Sequence, residues 1–389
     1  MDIIAVTGTK GTTTVTHFIY EALKATISQP IAFVSTMGIF DGKDEIDNGG
    51  FTTPPAPIVH NTVKRAEANG CAAFALELSS IGEKEGRAAG LPLKYGVFTN
   101  FAPDHIGSAE EHASLEEYYY YKRQIVARYE NAILNKDVDC FDDMVKASQE
   151  GNGQRVISFS TNPNSGANVY AKDIQRTADG MSFTVVTPAW TTHATVGMPG
   201  IYNVSNALAA FSVIYLMGLN PAVAAEAIAA TKIPGRSETY AKKGRTVIVD
   251  YAHNSISFNA LLTEMRIRHP NGKIRILYGV GGNRGERRRG MAHESALLAD
   301  LTYVTSDNPR DEDPNELCRT LAELIQADNG KCEIIVDRES AVRKALQDMA
   351  EGDVLILAGK GPETSITIGN VTYPYPGDAK LAADFINSL

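Results

Sequence analysis

Short apolar runs separated by longer amphipathic stretches recur along the chain, and this alternation limits its possible folds more than any other feature. In the first part the runs are IIAV (3–6), CAAFALEL (71–78), YGVFTN (95–100) and AILN (132–135). THFIYEALKA (16–25) carries apolar residues at helical spacing, and a polar, helix-like stretch precedes AILN. Continuous apolar runs suit strands buried on both faces, as in a parallel sheet covered by helices. A second series follows IPGRSE (233–238): TVIVD (246–250), IRILYGV (274–280), LTYVTS (301–306), CEIIVD (332–337) and DVLILAG (353–359). Around residues 155–195, RVISFS, NVYAKDI, GMSFTVVTP and THATVGM are short and alternating, which predicts antiparallel strands or hairpins. A helical block follows at 203–230. At 389 residues the chain exceeds one ordinary core, and two α/β domains are expected, residues 1–234 and 235–389.

A net charge of -9 argues against a general nucleic-acid or anionic-membrane surface, while leaving room for local basic pockets that take phosphate. The longest apolar segment, ALAAFSVIYLMGL (207–219), falls short of the ~20 residues a bilayer span needs. It reads as a buried helix stopped by Gly218 and Pro221. The cysteines Cys71, Cys140, Cys318 and Cys332 form no C-x-x-C pair, which disfavours structural zinc and fits a reducing compartment. MDIIAVTG carries no signal-peptide pattern. The expectation is a cytoplasmic protein without nucleic-acid or membrane partners.

Ligands of open parallel sheets sit beyond the carboxyl ends of the strands. Seven polar clusters occupy that place here: GTKGTTT, ELSS, TNFAPDH, DYAHN, GGNRGERRR, SDNPR and GKGPE. Their spread over both domains predicts one site in the cleft between them. GTKGTTT (8–14) has the context of a phosphate loop, since free amides and the dipole at a helix N-terminus favour an anion. It departs from G-x-x-x-x-G-K-[ST], with Val6 at the first glycine and Thr12 at the lysine. On the loop alone, an ordinary tight turn stays open.

Taken in order, the segments resemble the Mur ligase family, and within it the UDP-N-acetylmuramoyl-tripeptide synthetase branch. The family loop reads G-T-[NK]-G-K-[ST]-T, and residues 8–14 match except at Thr12. TTP (52–54) matches the branch's substrate threonines, and ALELSS (75–80) its glutamate-bearing strand end, with Arg87 at the expected distance. VFTNFAPDH (97–105) matches V-F-T-N-x-x-x-D-H, and EEYYYYKRQI (116–125) matches the helix that carries a modified lysine. YNVSNALAA (202–210), PGRSE (234–238), VDYAHN (249–254), GVGGNRGERRR (279–289), SDNPRDEDP (306–314) and LAGKGPE (357–363) follow in family order. The resemblance covers essentially the whole chain, starting at the ATP-binding domain. The family's domain for the UDP moiety is not matched, which leaves the acceptor open between a UDP-muramoyl dipeptide held with the help of a partner protein and a smaller peptide or specialised-metabolite acid.

The resemblance implies an α/β fold: a P-loop ATP-binding domain with a mostly parallel central sheet, then a Rossmann-like C-terminal domain. It implies an ATP-dependent amide ligase that joins an amino acid to a carboxylate acceptor through an acyl phosphate. Phosphoryl transfer needs positioning and positive charge more than covalent help. Gly8, Thr9, Lys10, Gly11, Thr12, Thr13 and Thr14 would then hold the ATP phosphates. Thr13, Glu77, His105 and Lys122 would hold Mg²⁺, with Lys122 carried as a carbamate. Without the resemblance, Glu77 reads as a solvated strand-end carboxylate, His105 as a capping or packing residue and Lys122 as a surface lysine. Asn203 and Asn206 resemble adenine contacts, the alternative for Asn203 being a helix cap. Arg236, Asp250, His253, Asn283 and Arg284 would grip the nucleotide from the second domain. Lys10 and Arg236 are the candidates to supply the charge missing at Thr12.

Thr52, Thr53, Ser79 and Arg87 resemble the acceptor site. Asn308, Arg310, Gly359 and Glu363 resemble the amino-acid pocket. Arginine last in DNPR (307–310) accompanies diaminopimelate in the family, because guanidinium pairs with a distal carboxylate in a bidentate fork. Pro362 stands where the family carries histidine. Two alternatives remain: a folylpolyglutamate-synthetase-like ligase, towards which AHN (252–254) leans, and a non-catalytic nucleotide-binding subunit of the same fold.

Overall fold

Val15, Phe18, Ile19, Ala22 and Leu23 recur at three- and four-residue intervals and are wholly buried, so the stretch after the phosphate loop is an amphipathic helix. The computed structural model describes the chain apart from residues 105, 107–111 and 283 and the side chain of residue 286. His105 and Asn283, both expected at the site, lie outside the described residues. The chain divides into two compact units, Met1–Thr231 and Lys232–Leu389.

The first unit opens with β1 (Asp2–Thr7), α1 (Thr12–Thr26), β2 (Ile31–Ser35), β3 (Gly38–Phe40), β4 (Glu45–Ile46) and α2 (Ala56–Ala68). Then come β5 (Ala73–Glu77), α3 (Ser80–Lys84), β6 (Leu93–Phe98), α4 (Leu115–Ala127), β7 (Asn131–Asn135) and α5 (Phe141–Glu150). It closes with β8 (Arg155–Ser160), β9 (Val169–Arg176), β10 (Met181–Val186), β11 (Thr191–Val196), α6 (Ile201–Leu216) and α7 (Pro221–Ala230). The strands form one sheet in the order β11-β10-β9-β8-β7-β6-β1-β5-β2-β3-β4. From β2 to β9 through its centre the pairing is parallel. The fully buried runs of β1, β5 and β7 explain why their sequences are continuously apolar.

RVISFS departs from expectation. It forms β8, which pairs parallel to both β7 and β9, and antiparallel pairing begins only between β9, β10 and β11. The reason is coverage: α6 packs along β7 to β10, so the last four residues of β8 are buried on both faces. The buried helix ends at Leu216, just before Gly218, which takes the left-handed φ of 64°. No described helix is long and apolar enough to cross a membrane.

The second unit contains β12 (Glu238–Lys242), β13 (Arg245–Asp250), α8 (Ser255–Arg268), β14 (Ile274–Tyr278), α9 (Gly285–Leu298) and β15 (Leu301–Val304). It continues with α10 (Pro314–Ala327), β16 (Cys332–Ile334), α11 (Arg338–Gln347), β17 (Val354–Ala358), β18 (Ser365–Ile368), β19 (Val371–Pro374) and α12 (Asp378–Ser388). Its main sheet runs β12-β13-β17-β14-β15-β16, parallel except for β12. β12 and the separate hairpin β18–β19 have short, half-exposed sequences that alternation did not single out.

Candidate functional site

In the first unit the chemistry gathers at the carboxyl ends of β1, β5, β6 and β2. The register pairs Val6 of β1 with Glu77 of β5, and Thr7 with Phe98 of β6. The loops after these strands therefore start side by side. Gly8 must lack a side chain, because a Cβ there would come within 1.9 Å of the Thr99 hydroxyl. Lys10 is clamped through its backbone: its N–H donates to Asn100 Oδ1 at 2.8 Å, and its carbonyl accepts from Thr99 Oγ1 at 2.7 Å. Its ammonium lies 3.0 Å from Asp104, which is almost wholly buried. Thr9 meets the Tyr118 hydroxyl at 2.9 Å.

Gly11 carries the turn into α1 with φ 81°, and a Cβ there would meet Asn206 Oδ1 at 2.4 Å. Gly11→Ala is expected to destabilise this unit by about 1–3 kcal/mol, the cost of a left-handed non-glycine residue plus displacement of Asn206. Urea denaturation would read this, and an unchanged midpoint would contradict it. Asn206 donates to Asn203 Oδ1 at 3.2 Å, and Asn203 donates to the Pro199 carbonyl at 2.8 Å. Gly200, not Asn203, holds the N-cap position of α6, so the capping alternative is not what is found. Thr14 is buried beside the loop.

Glu77 is buried, and both its oxygens are served. Oε1 accepts from Thr12 Oγ1 at 2.7 Å and Thr13 Oγ1 at 2.9 Å; Oε2 accepts from Thr36 N–H at 2.8 Å and its hydroxyl at 3.1 Å. A carboxylate and hydroxyls at a helix N-terminus are hard oxygen donors of the kind Mg²⁺ takes. Among the described residues no group of three or more His, Cys, Asp or Glu could cage a metal. A buried carboxylate with neighbouring hydroxyls fits Mg²⁺, which keeps its waters and uses one or two carboxylates plus substrate phosphates.

Lys122 of α4 is buried, with Nζ donating to Thr7 Oγ1 and the Gly8 carbonyl, each at 2.9 Å. It is no surface lysine. Desolvation pushes its pKa down to about 7, against the opposing pull of Glu77 and Asp104. Of the four tyrosines before it, Tyr118 is buried and Tyr120 is exposed.

Among the residues expected at the acceptor, Thr53 spends its hydroxyl on the backbone: it donates to the Glu77 carbonyl at 2.7 Å and accepts from Ser79 N–H at 2.9 Å. Ser79 caps α3 by accepting from Gly82 N–H. Thr52 meets Thr36 at 2.9 Å. Arg87 donates to the Thr53 carbonyl at 2.6 Å and lies over the Phe51 ring at 5.0 Å. These residues converge on the turn around Thr53.

In the second unit the expected residues sit in the loops after β13, β14, β15 and β17, apart from Arg236, which precedes β12. Asp250 at the end of β13 accepts from Ser237 N–H and Ala252 N–H, both at 2.7 Å. Arg236 stacks on the Tyr251 ring at 4.5 Å, and His253 Nδ1 contacts the Tyr251 carbonyl at 2.6 Å. Arg284 stands at the N-cap of α9. Arg288 of the same basic run binds both oxygens of Glu312, a structural role. Arg310 is exposed, with a left-handed φ of 52°; its N–H donates to the Thr367 carbonyl and its carbonyl accepts from Gly369 N–H. The β18–β19 hairpin thus clamps a backbone conformation that is unusual for arginine.

Glu363 and Asn308 meet directly at 3.1 Å. Between them lies a residue sequence reasoning passed over: Lys360, wholly buried, donates to Asn308 Oδ1 and Glu363 Oε2 at 2.8 Å each and pairs with Asp307 at 3.2 Å. Tyr251 donates to Glu363 Oε1 at 3.2 Å. Gly359, φ 95°, leaves room for Asp307, which a Cβ would meet at 3.0 Å. Lys360, Asp307, Asp104 and Asn100 all lie inside quoted segments and were within reach. Thr36 carried no signal, because only tertiary structure brings β2 beside Glu77.

Residues 6–214 match the family model for the Mur ligase middle domain, and residues 235–361 that for the Mur ligase, glutamate ligase domain. The UDP-N-acetylmuramoyl-L-alanyl-D-glutamate–L-lysine ligase of Enterococcus faecalis is 33% identical over 397 residues, covering 100% of this chain and 77% of that protein. The corresponding 2,6-diaminopimelate ligase of Geobacillus thermodenitrificans is 34% identical over 383 residues, covering 95% of this chain and 76% of its own. A solved UDP-N-acetylmuramoyl-L-alanyl-D-glutamate–2,6-diaminopimelate ligase superposes with a TM-score of 0.68 at 27% identity, over 100% of this chain and 78% of that one. Folylpolyglutamate synthase of Mycobacterium tuberculosis, solved with ADP and AMPPCP, reaches 0.74 at 17% identity, over 92% and 88% of the two chains, a likeness of fold alone.

Proposed function

Because the chain belongs to the Mur ligase family, and is thereby an ATP-dependent ligase forming carbon–nitrogen bonds, we propose that it joins 2,6-diaminopimelate to a UDP-N-acetylmuramoyl-L-alanyl-D-glutamate-type carboxylate. The observation that carries this reading is the Glu77 carboxylate, held by the loop threonines and Thr36 at the strand end beside the phosphate loop.

The amides from Gly11 to Thr14, at the N-terminus of α1, bind and orient the ATP phosphates, since those of Thr9 and Lys10 are spent on Asn100. The terminal phosphoryl group moves to the acceptor carboxylate, the bond to the leaving ADP oxygen breaks, and an acyl phosphate forms. The amine of the amino acid then attacks the acyl carbon, loses a proton, and phosphate departs. Glu77 and Thr13, with His105 and a carbamate on Lys122, would hold Mg²⁺, which would supply positive charge to the phosphoryl oxygens. Lys122 supports the modification by its environment: a buried amine that sheds its proton near neutral pH is the form that adds CO₂, releasing a proton and leaving a carbamate. Asn203 and Asn206 are the first unit's candidates to contact the nucleotide, and Arg236, Asp250, His253, Asn283 and Arg284 are the second unit's candidates for the same ligand. Thr52, Ser79 and Arg87 hold the acceptor, with Thr53 fixing their turn. A step that consumes ATP supports a cytoplasmic location.

ADP release tests the reading, with purified chain, ATP, Mg²⁺, the UDP-muramoyl dipeptide, and L-lysine or diaminopimelate. Release dependent on all components is expected. No release together with no ATP binding by calorimetry would overturn it. Diaminopimelate is favoured over lysine because Arg310 offers a fork to a second carboxylate. Arg310→Ala is expected to raise KM for diaminopimelate about 10–100-fold, the worth of a charge-assisted pair. An equal rise for lysine would refute that assignment.

A further inference from the structure

Behind the loops that carry Asn308 and Glu363 sits a buried ion pair that the ligation chemistry does not use. Arg338 and Asp378 are both wholly buried, with Nε to Oδ1 at 3.1 Å and Nη2 to Oδ2 at 2.6 Å. The Tyr375 hydroxyl donates to Asp378 Oδ1 at 2.6 Å.

Stability alone explains this pair poorly. Desolvating two charges costs about as much as their attraction returns, and apolar replacements are often neutral or better. Arg338 is also the first residue of α11, where the helix dipole disfavours a cation. Asp378, first in α12, sits where an anion is welcome, so the pair's unfavourable half is the arginine. Its Nη1 donates to no group among the described residues.

What the arginine touches points forward to the loops. Nη2 also donates to the carbonyl of Ala358, the last residue of β17, at 3.0 Å. The next residue is Gly359, packed against the Asp307 carboxylate, and Arg338 attracts that same carboxylate electrostatically. Asp307 in turn pairs with Lys360, which holds both Asn308 and Glu363.

We propose that Arg338, oriented by Asp378 and Tyr375, is a positioning residue for amino-acid binding: it fixes the Ala358 strand end and, through Asp307 and Lys360, the carboxylate of Glu363. The inference rests on the reading of Asn308 and Glu363 as the amino-acid subsite.

The test replaces the buried set by apolar residues, Arg338→Met with Tyr375→Phe and Asp378→Leu, so that no charge or hydroxyl is left unpaired within it. Circular dichroism and thermal melting check the fold, and steady-state ADP release gives KM for ATP and, separately, for L-lysine and diaminopimelate. The expected result is a folded protein whose amino-acid KM rises about 10–100-fold, the scale of a sub-ångström to ångström misplacement, with KM for ATP changed by less than about two-fold. An unchanged amino-acid KM in the folded variant overturns the inference. So does a variant that fails to fold, since the set would then be structural. Glu363→Gln separates the two readings. If it raises the amino-acid KM while the triple variant does not, only the positioning role falls; if it leaves that KM unchanged, the subsite assignment falls and takes the positioning role with it.

Discussion

Lys122→Met is expected to slow ligation severely while stabilising the first unit near neutral pH. The ammonium of Lys122 is buried, and desolvation brings its pKa from 10.5 to about 7. Between those values the unfolded chain holds a proton that the folded chain has released, so stability rises with pH across that window. Below about pH 7 both states are protonated and the full cost of burying the charge is present. Methionine fills the stem's volume and removes that cost. Two acceptors, the Thr7 hydroxyl and the Gly8 carbonyl, lose a donor in exchange. The net gain at pH 7 is about 1–3 kcal/mol, shrinking as pH approaches 10.5. Urea denaturation of nucleotide-free protein in CO₂-depleted buffer, repeated from pH 6 to 10, would measure it. A variant less stable than the parent at pH 7 would show that Lys122 is carried charged and compensated. Turnover should fall by about 10³-fold, because the carbamate that would help hold Mg²⁺ cannot form.

The second large effect concerns the loop. Thr12 stands where the family carries lysine, and its hydroxyl is committed to Glu77. The nearest cation on the loop, Lys10, is engaged with Asp104. If Lys10 exchanges Asp104 for the nucleotide phosphates, Lys10→Ala should lower ADP release about 100-fold, the scale of one preorganised charge contact. Thr12→Lys returns an ammonium to the loop and should raise release about 10-fold, less than a full contact because Glu77 competes for it. The double variant decides the matter: with Thr12→Lys present, Lys10→Ala should cost no more than about 10-fold, since the two cations serve the same phosphates. Equal costs in both backgrounds would mean that Lys10 does not compensate for Thr12.

Much of the fold was legible because periodicity reports burial. Runs such as IIAV and LILA are apolar without interruption, and they became strands with helices on both faces. The error at RVISFS has the same root. The alternation of Ile157, Ser158, Phe159 and Ser160 is real, but α6 covers that stretch so that both serines are buried too, and coverage by a distant helix leaves no mark in six residues of sequence.

The site divides along a similar line. Sequence by itself determined which residue types stand at strand ends and in what order, and that order identified the family. Only the tertiary structure decided what those residues do to one another. Glu77 is gripped by Thr36, 41 positions away, and Lys360 is buried against the carboxylate of Glu363. Lys122 became a buried amine because α4 packs it against the phosphate loop, 114 positions upstream. Motifs record local backbone demands such as the turn at Gly11; charge state and hydrogen-bond commitment depend on neighbours that the chain supplies from elsewhere, and on the water those neighbours exclude.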